Sequence, residues 1–372
     1  MHVLATNKRR HGGFGRGGRS NHVNQYQEEN AGTDLYGDGK MKGFSNAFAG
    51  ECYKIFRKGK IFILLGVLVA LALLLTFGFQ ILQDFGGAFD ISVDMDTIDE
   101  EIAALEETIA NYTLAIKNGL IDTELYQLQS TLAYLKYLKA GNLRSSDFVL
   151  AGQEAFDSAG YIDAVLGSSF GIIALFSVIM ICRSWGGEKS DGTLKMQLLR
   201  PIGRKKMYGA KVLSVWCIGA LVFIALILFA QIVAMIKFGV ATKKVIYVVG
   251  ATKVGVMPYM GYLALQIVFK LFALFAYIQF GAFMCNLTWK KGNGMALAIL
   301  ACIFASNLER LLGYLYVGYV GMFINLDFMS ALSLTGPMLK GMNLVSMIII
   351  STVYQVVFAI FNLYHAEHCD IA

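Results

Sequence analysis

The stretch that decides the fold is RSWGGEKSDGTLKMQLLRPIGRKKMYGAK, residues 183–211, which lies between two long apolar runs. Eight of its residues are Lys or Arg, against only two acids, Glu188 and Asp191. Short loops rich in Lys and Arg stay on the cytoplasmic side of a membrane. The sequence therefore predicts that residues 183–211 form a cytoplasmic loop between two membrane-spanning helices.

The middle of this loop predicts a short helix of its own. Asp191 is a good capping residue, and Pro201 disfavours helix just before it, so we expect a helix from about Thr193 to Leu199. Leu194 and Leu198 share one face of that helix. A short, capped helix at a membrane surface is suited to passing a push from a partner protein to the spans.

The composition is that of an integral membrane protein, with 56% hydrophobic residues, 16% charged residues and three prolines. A helix needs about 20 apolar residues to cross about 30 Å of hydrocarbon. The sequence predicts an all-α fold with six transmembrane helices, at Ile61–Gln83, Tyr161–Cys182, Val212–Val240, Pro258–Cys285, Met295–Tyr316 and Leu344–Leu363. The first begins too late and lacks the cleavage pattern of a signal peptide, so we expect a retained span over 61–83.

Charge is unevenly distributed between the two predicted sides. Residues 84–160 carry fourteen acids and four bases, whereas the whole chain has a net charge of +6. This asymmetry is typical of a protein with two sides in a bilayer, and we expect no nucleic-acid partner. With the loop 183–211 inside, an even number of spans places both termini in the cytoplasm.

The acidic segment 84–160 predicts an extracytoplasmic helical hairpin between the first and second spans. Apolar residues recur at alternating spacings of four and three, as in a coiled coil, on both sides of Asn118-Gly119. Two such helices can bury their apolar faces against each other outside the membrane. We interpret the acidic surface as a solvated face; the alternative is a surface that collects cationic substrates.

The chain before the first span divides into two parts. Residues 1–40 are polar and glycine-rich and predict a disordered tail. Residues 41–60 predict an amphipathic helix at the membrane interface, with Phe44, Phe48, Cys52 and Ile55 on its apolar face.

Charges within the predicted spans mark candidate polar positions. These are Lys270 in the fourth run and Glu309 with Arg310 in the fifth. Exposure of each to lipid would cost about 2.5–3.5 kcal/mol, so we expect them to face protein or water. Lys270 and Glu309 are candidates for an ion pair between helices, and the alternatives are snorkelling to the interface or a role in translocation.

Several signatures of chemistry are absent from the sequence. There is no G-x-x-x-x-G-K-[ST] phosphate loop and no H-E-x-x-H. The spacing of His365, His368 and Cys369 superficially resembles a metal site, but we interpret it as a chance cluster. We therefore predict no catalytic, cofactor or metal site and no enzyme activity in this chain.

The order of motifs in and beside the loop resembles that of ABC-2-type ABC transporter permeases. It consists of an acid, a GTL triplet, a leucine, a basic residue with proline, and a further basic run. In this chain these are Glu188, Gly192, Thr193, Leu194, Leu198, Arg200, Pro201, Arg204 and Lys205.

The resemblance implies a function for the whole chain. In that family the loop between the second and third spans contacts separate ATP-binding subunits, which hold the ATP and Mg²⁺, and the interfacial helix lies near them. The chain would be a multi-pass exporter subunit of the cell (plasma) membrane, in contact with its lipid and paired with a second permease copy as a homodimer or heterodimer. The alternative is a non-transporting membrane sensor or scaffold whose extracytoplasmic hairpin binds a ligand.

Overall fold

The protein is seen in a computed structural model that describes most of the chain. The described residues are 38–57, 60–85, 97–117, 123–143, 148–151, 158–188, 203–240, 243–288, 291–313, 320–334, 336 and 342–368.

Helices make up most of the described chain. They are α1 (Asp38–Arg57), α2 (Lys60–Phe85), α3 (Ile98–Lys117), α4 (Thr123–Gly141), α5 (Ser158–Ile181), α6 (Arg204–Phe238), α7 (Tyr259–Leu287), α8 (Lys291–Gly313) and α9 (Leu344–His368). The strands are β1 (Phe148–Leu150), β2 (Lys244–Val249) and β3 (Lys253–Pro258).

Within the described residues, five helices are long and apolar enough to cross a membrane, namely α2, α5 with its continuation, α6, α7 and α9. The fifth predicted run, Met295–Tyr316, falls largely in α8, whose described apolar part is the shorter segment Gly292–Phe304. The chain is thus a mostly helical, multi-pass membrane protein. We call the end of the bundle at Glu188 and Arg204 the loop end, and the end that carries β1–β3 the sheet end.

The centre of the bundle is formed by α5, α6 and α7, which pack against one another. Helix α5 is the most enclosed, and Tyr161, Ile173 and Val178 are completely buried. Close approach depends on glycine: a Cβ at Gly219 of α6 would lie 2.9 Å from Ser177 Oγ and 3.0 Å from Leu274 Cδ2. Small residues at helix contacts are the usual means of close packing in membranes.

Helix α9 lies at the outside of the bundle. Its exposed residues recur every three or four positions and so form one face: Val345, Ile349, Val353, Val356 and Ile360. Its opposite face buries Met347, Ser351 and Asn362. An apolar exposed stripe of this kind faces lipid in a membrane protein.

The sheet end contains a second, smaller core. Helices α3 and α4 lie side by side, with an ion pair of 2.6 Å between Lys136 and Glu106. Their described apolar faces are buried or half-buried, and the most enclosed residue is Leu138 of α4. The same core contains Ile246 and Val248 of β2, so the helix pair packs on the sheet.

The sheet itself was not predicted, because the sequence was interpreted there as a loop. Strand β2 pairs with β3 antiparallel and with β1 parallel, in the order β1-β2-β3. The turn between β2 and β3 contains Gly250 and Ala251, both with φ of 62°. Val249 pairs with Lys253, so the loop has three residues, and positive φ is a recurring feature of such short hairpin loops.

An irregular segment, residues 320–334, lies among the helices. Phe323 contacts Phe280 of α7 at 5.2 Å, and Phe328 contacts Phe269 at 5.1 Å, measured between ring centroids. Phe280 lies within α7, a helix long and apolar enough to cross a membrane, so Phe323 lies at the depth of a candidate span. Residues 322–326 are buried, as required of irregular backbone at that depth.

Candidate functional site

The helices extend into the predicted loop from both sides. Helix α5 continues as a π-helical turn, Cys182–Gly187, to Glu188, and α6 already begins at Arg204. The predicted residues Gly192, Thr193, Leu194, Leu198, Arg200 and Pro201 lie outside the described residues. The site is therefore built from the two bases of the loop, where Glu188, Arg204 and Lys205 are described.

Four charged side chains meet at this base. Lys211 of α6 contacts the carboxylate of Glu188, and its Nζ lies 3.2 Å from Oε1 of Glu51 in α1. Lys54 of α1 lies 2.7 Å from Glu51 and 3.4 Å from Glu188. These four residues, which we call the base cluster, carry two positive and two negative charges and connect α1, the end of α5 and the start of α6.

The base cluster is enclosed to different degrees. The side chain of Lys211 is 0% exposed and that of Glu51 is 6% exposed. Burial of a charge is costly unless it is paired, and removal of one partner from a buried pair costs about 3–5 kcal/mol. The two acids that surround Lys211 therefore fix its position, and through it the relation of the three helices.

The pKa of Lys54 shows that its ion pairs in the base cluster persist at neutral pH. Burial alone would lower the pKa of Lys54, but the hydrogen bond to Glu51 and the charges of Glu51 and Glu188 outweigh it and raise the pKa above the ordinary value. A raised lysine pKa keeps the ammonium form throughout the neutral range. The ion pairs of Lys54 are thus present at physiological pH.

The first turn of α6 has further partners near the C-terminus of the described chain. Lys205 lies 2.8 Å from the carboxylate of Glu367 in α9, and Arg204 donates to the Glu367 carbonyl oxygen at 3.1 Å. Lys205 and Glu367 are about half-exposed, so their ion pair is weak. Both predicted coupling residues lie on the surface, where another protein can reach them.

A chain of hydrogen bonds extends from the base of the loop into the bundle. Trp185 Nε1 donates to Asn286 Oδ1 at 2.7 Å, and Asn286 Nδ2 donates to Asn362 Oδ1 at 2.9 Å. Asn362 Nδ2 donates to the Gln279 carbonyl oxygen at 3.1 Å, and Tyr208 donates to Gln279 Oε1 at 2.8 Å. This polar chain connects the ends of α5, α6, α7 and α9.

The π-helical turn supports both the base cluster and the polar chain. A π turn shifts the register of the side chains that follow it by one residue, and such turns are frequent at functional sites. Here it places the ring of Trp185 edge-on to Tyr208, at 5.0 Å between centroids. A Cβ on Gly186 would lie 3.1 Å from Cys285 Sγ, so glycine allows α7 to approach the turn.

Of the three predicted intramembrane charges, only Lys270 has a described side chain. Its Nζ lies 4.7 Å from the centre of the Phe170 ring, which is a cation–π contact. The predicted pair between Lys270 and Glu309 falls outside the described side chains, as does Arg310. Among the described residues Lys270 contacts no carboxylate within ion-pair distance.

A cavity of about 300 Å³ lies between α5, α7 and α8. It is mostly apolar, with two hydroxyl groups and one thiol in its lining: Ser168, Gly171, Ile172, Ala174, Leu175, Tyr277, Cys302 and Ile303. Its volume is at the lower end of the range for small-molecule sites.

Sequence reasoning missed Glu51 and the polar chain. Glu51 was placed among the polar residues around the helix, whereas it lies on the buried face between Ala47 and Ile55. The signal was the spacing of four residues, which puts all three on one face. No sequence pattern pointed to Asn286 and Asn362, because partners 76 positions apart are brought together only by the fold.

The described residues contain no cluster of three or more His, Cys, Asp or Glu suited to a metal ion.

Comparison with known proteins was made on the whole chain. No curated protein and no solved structure matches it. Residues 143–286 match the family model of the ABC-2 family transporter protein. This region begins just after α4 and ends in the last turn of α7, so it contains the three strands, α5, α6 and the loop between those two helices. Glu188, Lys211 and Trp185 all lie within it. The resemblance to ABC-2-type permeases is thereby confirmed over residues 143–286, which are similar to an ABC-2 family transporter protein.

Proposed function

We propose that the chain is the permease subunit of an ABC exporter, which forms the substrate pathway and is driven by separate ATP-binding subunits that hold ATP and Mg²⁺. The observation that carries the proposal is the base cluster. Glu188 precedes the loop 189–202 and Lys211 follows it, and the two are joined directly and through Glu51 and Lys54. A force on the loop would thus act on α1, α5 and α6 together.

The polar chain connects the loop ends of α5 and α6 with α7 and α9, so a force on the loop would also act on those helices. Trp185 and Tyr208 belong to α5 and α6, while Asn286 and Asn362 belong to α7 and α9. Closure of two ATP-binding subunits would push the loop, and the loop ends of four helices would shift as a connected group. Rigid-body shifts of packed helices are a common way to change access to a central pathway.

A second copy of the chain completes the proposed pathway. Helix α5 is largely buried, yet it exposes Gly167, Ser168 and Gly171 on one side. A Cβ at either glycine would meet no atom of the described chain within 4 Å. A G-x-x-x-G spacing favours close packing of membrane helices, so a partner helix on this face would enclose the cavity between two subunits.

Co-purification tests the proposal. The full chain, extracted from its own host membrane in mild detergent, is expected to retain an ATP-binding protein whose hydrolysis rate changes when the permease is removed. Inside-out vesicles provide the test of direction, because ATP supplied on their outer side would drive an exporter to accumulate its substrate inside the vesicle. If the intact chain is recovered repeatedly with no ATP-binding protein, the permease assignment is wrong.

A further inference from the structure

The cavity between α5, α7 and α8 lies on the same side of α7 as Lys270. Tyr277 lines the cavity and is seven residues, or two helical turns, beyond Lys270. Phe170 connects the two, because its ring contacts Tyr277 at 6.2 Å and lies under the Lys270 ammonium group at 4.7 Å. Lys270 thus lies about 10 Å from Tyr277, toward the sheet end of the cavity.

The position of Lys270 is unusual for a charged residue. It is eleven residues into α7, about 16 Å from the first residue of a 29-residue helix that is long and apolar enough to cross a membrane. Its described surroundings offer an aromatic face but no carboxylate at ion-pair distance. Asp163, near the sheet end of α5, accepts a hydrogen bond from Gln266 at 3.2 Å. A cation at this depth is costly and commonly marks a functional position.

The geometry points to an anionic amphiphile as the ligand of this cavity, with its alkyl chain among Ile172, Leu175 and Ile303 and its carboxylate or phosphate on Lys270. This inference rests on the proposed function and names the substrate class of the same pathway. The apolar lining would supply burial for an alkyl chain, since each buried methylene contributes about 0.8 kcal/mol. The single cation would supply selection for the negative head group.

A matched pair of fluorescent probes separates these two contributions. The probes are 11-(dansylamino)undecanoate and its methyl ester, which share the chain and differ in the charge of one end. Binding is followed by dansyl fluorescence on the full chain with its ATP-binding partner, in nanodiscs of phosphatidylcholine. Wild-type protein is expected to bind the carboxylate about tenfold more tightly than the ester.

Four variants test the residues. Lys270→Met should weaken the carboxylate about tenfold and leave the ester unchanged, whereas Lys270→Arg should retain the preference. Lys237→Met removes an exposed lysine from the far end of α6 and should change neither probe. Ile303→Trp fills the cavity from α8 and should weaken both probes.

The outcomes separate the inference from the function on which it rests. Equal affinity of wild type for the two probes, or an unchanged preference in Lys270→Met, overturns the inference even when the ATP-binding partner co-purifies. Loss of the partner from wild type overturns the proposed function instead. Nanodiscs with added phosphatidylglycerol identify the source of the ligand: displacement of the carboxylate probe identifies a membrane lipid, and undiminished binding identifies a free amphiphile.

Discussion

The ammonium group of Lys211 lies 3.2 Å from a carboxylate oxygen of Glu51, and the lysine side chain is completely buried. This contact ties the first described helix to α6, and the second contact of Lys211, with Glu188, ties α6 to α5. The loop 189–202 therefore starts and ends at one enclosed electrostatic cluster.

Replacement of Lys211 by Met is expected to destabilise the protein. Glu51 would lose a buried partner, and the usual cost of such a change is about 3–5 kcal/mol. Thermal unfolding of the detergent-solubilised chain, followed by intrinsic fluorescence, measures the effect. Lys206→Met is the matched control, because Lys206 is exposed and lies five positions earlier on the same helix.

The double variant Lys211→Met with Glu188→Gln distinguishes loss of pairing from loss of packing. It removes one charge of each sign, and we expect it to be more stable than Lys211→Met alone. Equal unfolding temperatures for Lys211→Met and Lys206→Met would show that the base cluster contributes nothing to stability.

The polar chain is tested by Asn362→Leu in α9. This variant leaves the Asn286 amide without its acceptor, which costs about 1–3 kcal/mol, and breaks the connection from α7 to α9. We expect the ATP-binding subunit to remain bound while the stimulation of its hydrolysis falls several-fold. Thr352→Ala is the control, since Thr352 is exposed on α9 and bonds only within its own helix. Unchanged stimulation in Asn362→Leu would remove the polar chain from the mechanism.

Five of the six predicted spans correspond to helices that are long and apolar enough to cross a membrane, because length and apolar composition are local properties. The sequence did not specify which helices meet. Glu51 and Lys211 contact each other only through the packing of α1 on α6. The strand signal in Lys244–Val249 was present as β-branched residues before a glycine turn, but a run of lysines made the segment resemble a loop.

The helix pair α3–α4 shows the same difference between what a local pattern predicts and which contacts the fold makes. Leu105, which the alternating apolar spacing assigns to the predicted interface of the hairpin, is half-buried in the structure. The tightest packing is instead at Ile98, Leu135 and Leu138, where the pair meets the sheet. A pattern along one helix could not reveal that contact, because Ile246 and Val248 of β2 lie more than a hundred positions later.

Tyr134 provides a test of this second core. Burial raises the pKa of the Tyr134 phenol to about 12, against about 10 for an exposed tyrosine. The folded state therefore keeps a proton that the unfolded state loses, so this residue's contribution to stability is complete below about pH 10 and is lost between about pH 10 and 12. Absorbance at 295 nm, wild type minus Tyr134→Phe, should show one phenolate that forms near pH 12. A difference signal with its midpoint near pH 10 would mean that Tyr134 is exposed.

We propose that the loop between α5 and α6 couples this chain to an ATP-binding subunit. Leu194 and Leu198 are the predicted apolar anchors, and their replacement by Ser together should leave the protein inserted in the membrane. Lys195→Ser, on the same predicted helix but off the leucine face, is the control. The decisive measurement is the affinity of the purified permease for the ATP-binding subunit, together with the stimulation of hydrolysis. We expect a loss of about a hundredfold in affinity, or uncoupled hydrolysis, for the double variant only. Wild-type affinity and wild-type stimulation in the double variant would contradict it.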